Sequence, residues 1–496
     1  MFAAVLAFTA SQVTPLTAVA QGQLPPPEQS LVDPAITSQL NALERAAAQA
    51  NQRTYNALYE PCETQSPACT PEVRAVFEEA RELVRTASEI LGGRPIEGSL
   101  RLSIEGLGFA LRWTAAEEMA AHGSSTTEFA ASQLSSLSAR LASLRWGVSG
   151  PRATYHPESG NESIRVADSG SFGRKGGGAS GDAETVYSRW SWYVDGSFGY
   201  GDKEPTELED AFDFDGQEIT VGVDYRFSTT TVAGVMLGYT KKEVDFDSSK
   251  SIVDGGIETD GYSGLAYGLW EGERAYMNGA LGYQQLTHDN RRRITYPSED
   301  PTVPATDSLA TSSTDSGSLL ATVGAGYAFR WGQFSLQPSV DFAYTDASVD
   351  AFVERSVDLT QDASPDDPFD LRIGRQSIES LDASAGFKVD FVITPSFGVL
   401  VPYFTARYHR EMLNDVRRIS ALYADAYELL VQDVADDPNF NVPTDEPDDD
   451  YYTLAGGLTV VLQGGLMGFV QYLEVLDLDH YSNSVITGGL RYEFGR

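Results

Sequence analysis

The 496-residue chain is poor in the residues that most often carry chemistry. It has two cysteines, five histidines and 35 basic residues against 71 acidic ones, a formal net charge of −36. So acidic a balance weighs against nucleic acid and against attraction to anionic lipid. His122, His156, His288, His409 and His480 form no HExxH pair and no metal-ligand spacing, and no Gly-x-Ser-x-Gly elbow occurs. No catalytic residue, metal site or cofactor is therefore expected. The glycine-rich "GRKGGG" lacks the Gly-Lys-Ser/Thr ending of a phosphate loop. Beyond the N-terminus there is no run of about 18 apolar residues, which excludes a transmembrane helix. It does not exclude a transmembrane barrel, whose apolar residues alternate with polar ones.

What is present falls into four regions. Residues 1–20 read as a secretory signal peptide, with an apolar core from Phe2 to Phe8 and the small-residue site Ala18-Val19-Ala20, although the usual basic start is missing. Export exposes the chain to an oxidising compartment, so Cys62 and Cys69 are expected to form a disulfide. Residues 34–146 carry helical periodicity. One stripe runs from Ile36 through Leu58 and stops at Pro61; a second starts at Thr70-Pro71 and stops at Gly92-Gly93. A third holds Phe129, Leu134, Leu137, Leu141 and Leu144. The stretch between the last two is ambiguous. Together they make a small helical bundle. Residues 147–185, rich in Gly and Ser, form a flexible linker.

From residue 186 to 496 the period becomes two. Trp190, Trp192, Val194, Phe198 and Tyr200 share one face, with Ser191, Tyr193, Asp195 and Ser197 on the other. Ile219, Val221, Val223 and Tyr225 oppose Thr220, Asp224 and Arg226. The same alternation recurs from Ala321 to Trp331, from Phe334 to Tyr344 and from Leu381 to Phe391. Each run is about ten residues, enough to cross a tilted path through a bilayer, and aromatics gather at its ends. Short connections (228–230, 271–273, 331–332, 394–396, 464–465) alternate with long polar ones (201–216, 241–260, 286–317, 345–376, 407–451, 477–483). A transmembrane barrel sorts its loops this way, and the hairpins sum to about twelve strands.

The expected fold is an all-β transmembrane barrel of about twelve antiparallel strands, preceded by a small α-helical domain. Asp195, Asp224, Arg226, Arg330, Asp341, Lys388 and Arg491 then face the lumen. Ile486, Leu490, Tyr492 and Phe494 put the closing strand on lipid. The acidic "DVADDPNFNVPTDEPDDD" lacks calcium-loop spacing and reads as a solvated loop. The basic "DNRRRI" (289–294) suits either lipopolysaccharide phosphates or the acidic loops.

"YVDGSFGYGD", "ITVGVDYRFSTTTVAGVMLGYTKKEVDFD", "DGYSGLAYGLW", "YMNGALGYQQLTHDNRRRI" and "VITGGLRYEF", in this order, resemble the translocator domain of autotransporters, the type V secretion proteins of Gram-negative bacteria. The resemblance implies a twelve-stranded barrel in the outer membrane, inserted by the barrel-assembly machinery, monomeric, and touching outer-membrane lipid and lipopolysaccharide. It also implies an N-terminal passenger carried to the surface. The chain departs from the family in three ways. Its passenger-like part is short and helical, Gly495 and Arg496 follow the last aromatic, and residues 147–185 stand where the family has a helix in the pore directly before the first strand. Two readings follow. In one, the barrel displays the helical domain outside, with the linker crossing the pore. In the other, the barrel is a pore or scaffold with a periplasmic helical domain.

Overall fold

The computed structural model describes residues 25–123, residues 133, 136–138, 140 and 141, the stretches 152–154 and 165–167, and 189–493 apart from 247–251, 361–367, 414–415, 432–439 and 463–465. The expected signal peptide, most of the expected linker and Phe494 lie outside the described residues. Within the linker, Arg152–Thr154 pairs antiparallel with Arg165–Ala167.

Three longer helices build the N-terminal domain among the described residues, with short turns of helix at Pro34–Thr37 and Glu117–Ala120. Helix α1 (Ala42–Glu63) opens on a capping box, in which Asn41 and Glu44 satisfy each other's backbone N–H. It runs two residues past Pro61, which falls in the last turn and, lacking an N–H, cannot bond the carbonyl four residues before it, so the helix ends soon after. Helix α2 (Pro71–Gly92) is capped by Thr70 and stopped by Gly93 at φ +59°. The ambiguous stretch folds as helix α3 (Ile104–Thr114), capped by Ser103. Cys62 and Cys69 are joined by a disulfide across the α1–α2 connection.

Twelve antiparallel strands close the barrel: β1 (Trp190–Lys203), β2 (Phe212–Arg226), β3 (Thr231–Phe246), β4 (Gly255–Glu271), β5 (Ala275–Tyr296), β6 (Thr306–Tyr327), β7 (Phe334–Val349), β8 (Gln376–Phe391), β9 (Gly398–Glu411), β10 (Asp450–Leu462), β11 (Leu466–Leu476) and β12 (Tyr481–Glu493). Each pairs with the next, and β12 returns to β1 with Leu490 opposite Val194 and Tyr492 opposite Trp192. Ile486, Leu490 and Tyr492 are exposed on the outer face, with Trp192, Ile219, Leu237, Tyr262, Leu281 and Val323. They form the apolar band that a bilayer requires. No helix among the described residues is long and apolar enough to cross a membrane.

The strands rise well beyond that band. Strands β5 and β6 are 22 residues each, so the connection expected at 286–317 is mostly strand, and β3 and β4 likewise take up most of the one expected at 241–260. The reason is a change of face. In the lower part of β5, Met277, Leu281 and Tyr283 are apolar and point outward. Above them Leu286, Ile294 and Tyr296 are apolar and buried inward, while Asp289 and Arg291 point out. Outside is lipid below and water above, so the apolar face switches sides where the bilayer ends.

The outward register carries a test. Ala325→Arg places a charge in the apolar band at a cost of about 2–4 kcal/mol, and the heat-dependent gel shift of the folded barrel should be lost from membrane fractions. Thr405→Arg, facing the wide part of the lumen, should assemble. Gly324→Arg is no neutral control, because even a Cβ there runs into Asp341 and stands 3.1 Å from Asn278.

Candidate functional site

The site is the barrel interior and the outer mouth above it. At the mouth the helical domain shares one apolar core with the raised strands. Leu43, Leu58, Phe77, Leu83, Leu107 and Trp113 belong to the same buried cluster as Phe212, Phe214, Val244, Phe246, Ile257 and Ile294. Loop residues Phe352, Ile373, Tyr423 and Phe440 close it from the far side. Polar ties register the fit. Tyr296 donates to Glu79 at 3.0 Å, Tyr423 donates to Asn51 at 2.9 Å, and Glu299 N–H donates to the Leu100 carbonyl at 2.9 Å.

Beneath α3 lies a buried charge network. Arg292 of β5 grips Glu354 through Nε at 3.1 Å and Nη2 at 2.6 Å, and donates Nη1 to the Trp113 carbonyl at 3.1 Å. Arg112 holds Glu117 at 2.7 Å and Asp210 of the β1–β2 connection at 3.4 Å. Glu118 is buried among Arg292, Glu354 and Asp210, and burial pushes its carboxyl up to about 8. Burial likewise holds Glu117 well above the ordinary carboxylate range, against Arg112. His122 is fully buried, bonded to Asn290 at 2.7 Å, and pushed down to about 4 by burial. The basic cluster at 289–294 thus divides. Arg292 turns inward to Glu354, and Arg293 turns outward to Asp254 and Asp307.

Below the mouth, helical residues stand inside the barrel. Leu137 and Leu141 pack on Tyr193, Met236, Leu265, Tyr267 and Leu269 of β1, β3 and β4. Ser136 donates to Glu218 at 3.3 Å. Arg140 pairs with Asp224, donates to Ser191 at 3.3 Å and lies 4.1 Å from the centre of the Tyr193 ring. This corrects two expectations. Leu137 and Leu141 are lumenal contacts rather than bundle core, and a helix does occupy the pore. The path follows. Gly123 lies by Arg417 at the mouth, Gln133 by Gly238 midway, and Arg140 by Asp224 near the short-turn end, where β1 begins. The described helical residues from Gln133 to Leu141 thus descend the lumen from the mouth toward the short-turn end.

The helix leans on one wall. Along the other, β7 to β12, runs a cavity of about 1120 Å³ lined by Asp341, Lys388, Tyr403, Arg407, His409 and Thr453 among others. Of the residues expected in the lumen, Asp195, Asp224 and Arg491 are buried inside. Asp341 faces the cavity in a pair with Arg407, and Lys388 lies 4.2 Å over the Tyr403 ring. Arg226 sits at the short-turn end of β2. Arg330, exposed at the lower rim, pairs with Glu271 at 3.6 Å. Sequence reasoning missed Arg140 and Arg407. The only signal was parity for Arg407 and a lone charge on a Leu/Ser stripe for Arg140. No group of three or more His, Cys, Asp or Glu poised for a metal occurs among the described residues.

The family model of the autotransporter beta-domain matches residues 192–473, more than half of the chain. Among solved structures the chain is similar to the translocator domain of NalP from Neisseria meningitidis, at 16% identity and a TM-score of 0.46, covering 62% of this chain and 90% of that one. It is also similar to the transport unit of AIDA-I from Escherichia coli, at 14% identity and a TM-score of 0.41, covering 64% and 93%. No curated protein matches the sequence.

Two measurements probe the seats. Arg140→Met leaves Asp224 buried without its cation, at a cost of about 3–5 kcal/mol. Thermal unfolding of the barrel should fall sharply, and Arg140→Met with Asp224→Asn should recover most of the loss. At the mouth the sign follows from protons. Folded Glu118 keeps its proton to about 8, whereas the unfolded chain releases it near the usual carboxylate value. Stability therefore falls as pH rises through that window. His122 acts oppositely, and only below its unfolded value of about 6.5. Between pH 6.5 and 8 the Glu118 loss, on the order of 2 kcal/mol, adds to those of Glu117 and Glu82, whose carboxyls burial also raises; Tm should fall across this window, and Glu118→Gln should make the fall measurably shallower.

Proposed function

Because the chain belongs to the autotransporter beta-domain family, we propose that its barrel lies in the outer membrane of a Gram-negative bacterium and holds its own helical domain at the cell surface, after carrying that region through the pore. The observation that carries this reading is the core shared by α1–α3 with the inner faces of the raised strands, at the long-loop end. In the family's orientation the short turns face the periplasm, so the shared core belongs outside. The helical residues inside the lumen are what a chain that has passed outward leaves behind. The domain stays bound at the mouth, rather than standing on a stalk. The barrel acts as a monomer, inserted by the barrel-assembly machinery, with its aromatic belts at the lipid interfaces and its outer rim among lipopolysaccharide.

The test is chemical. Both native cysteines are in the disulfide, so a cysteine at exposed Arg94 (Arg94→Cys) is a clean probe. It should react with a membrane-impermeant maleimide on intact cells. Reaction only after the outer membrane is opened would assign the domain to the periplasm and defeat the proposal.

A further inference from the structure

We propose that Thr453, His409 and Asp382 form a lumenal acyl-transfer site that hydrolyses small esters. The proposal is independent of where the helical domain resides. The three residues lie on neighbouring strands, β10, β9 and β8, and strand parity turns all three into the lumen. Nδ1 of His409 is 3.0 Å from Asp382 Oδ2, and Nε2 is 2.9 Å from Thr453 Oγ1. In the proposed base, the neutral imidazole donates Nδ1–H to Asp382 and turns its Nε2 lone pair to the threonine hydroxyl. That is the nucleophile, base and orienting-acid arrangement of acyl-transfer enzymes, recognised by geometry rather than by order in the chain.

Two further features distinguish this histidine from the others described. Its ring is clamped by Tyr451, stacked at 4.5 Å and 9°. His409 and Thr453 both line the cavity of about 1120 Å³, so a substrate can reach them. Arg407, in register opposite Thr453, lines the same cavity, but its guanidinium is held by Asp341, Ser339 and Ser384 on the β7–β8 side, so the proposed step does not draw on it. By contrast, His288 is buried between Thr259 and Ser316 with no carboxylate, and His122 is buried against Asn290. His480 is 3.8 Å from Glu204, more than half exposed, with no hydroxyl on its other nitrogen among its described contacts.

The chemistry closes with water as the only co-reactant. Thr453 Oγ bonds to the ester carbonyl carbon and its proton passes to His409 Nε2. The bond to the alcohol oxygen breaks, and the alcohol leaves with that proton. Water then attacks the threonyl ester, His409 takes the proton of the water and returns it to Thr453 Oγ, and the acid departs. The cavity, about 1120 Å³, lies a little above the usual size of small-ligand sites, roughly 300–1000 Å³, so it has ample room for a small ester.

The experiment uses the full folded chain in detergent, with p-nitrophenyl butyrate as substrate and a fluorophosphonate as covalent probe. Folding of each variant is checked by its heat-dependent gel shift. The wild type should turn over the ester and take up the probe on Thr453. His409→Gln should slow turnover by about 100-fold or more, the usual contribution of a general base, and Asp382→Asn should also slow it. Thr453→Val should abolish turnover and labelling. Thr453→Ser, a less hindered hydroxyl in the same place, should retain both. Turnover no faster than that of the boiled protein would overturn the proposal and leave a purely structural hydrogen-bond network. So would turnover that survives Thr453→Val, or that appears only in Thr453→Ser.

Discussion

Lipid offers no hydrogen bond, so every backbone N–H and C=O that crosses it must be satisfied by the protein itself. The pairing of β12 with β1, from Tyr481 opposite Lys203 to Glu493 opposite Ser191, meets that demand by leaving no edge. Much else follows from closure. An even number of strands places the start of β1 and the end of β12 at the same end of the ring. The helical domain lies at the other end. The helical residues described between that domain and β1 lie inside the ring rather than against lipid, and a helix satisfies its own backbone. Arg140 beside Asp224 and Leu137 against Leu265 are contacts they make with the wall.

The ring was legible in the sequence because lipid imposes a period of two. Outward Trp192, Val221, Leu237 and Val323 alternate with inward polar or small residues, and the short turns sort to one end. The upper third was not legible, for the same reason. Once the outer face meets water, the apolar residues move inside, as Phe212, Phe214, Phe246, Ile257 and Tyr296 do. Read along the sequence, this shift of phase by one residue looks like the end of a strand and the start of a polar loop. The helical domain and the loops above the strands give those inward side chains their apolar partners.

The lumenal charges divide in a similar way. Parity placed Asp195, Asp224 and Asp341 inside, but it could not name their cations. Arg140 is 84 residues from Asp224, and Arg407 is 66 from Asp341. Separations of that size are set by the closure of the ring and by the threading of the chain, neither of which leaves a local signal. The stripe containing Leu137 and Leu141 was equally silent about its partner, because a helix meets a bundle core and a barrel wall through the same spacing of leucines.

Closure also fixes how the lumen is shared. Inward tyrosines would fill the barrel if they stood upright, yet they lie flat on neighbouring strands. Tyr193 covers Gly222 and Tyr403 covers Gly457, each glycine in register with its tyrosine. A side chain at either glycine would run into the ring, so the missing Cβ is what lets the aromatic lie against the wall. On the β1–β4 side the surface so formed receives Leu137, Leu141 and Arg140, and the helix takes up the space. On the β8–β10 side no described helical residue fills it, and the wall there carries Asp382, His409, Thr453 and Arg407 facing the cavity. The helix therefore leaves the barrel unevenly filled. The polar groups that sequence parity could only place inside are, on this second wall, held by one another and open to whatever enters the cavity.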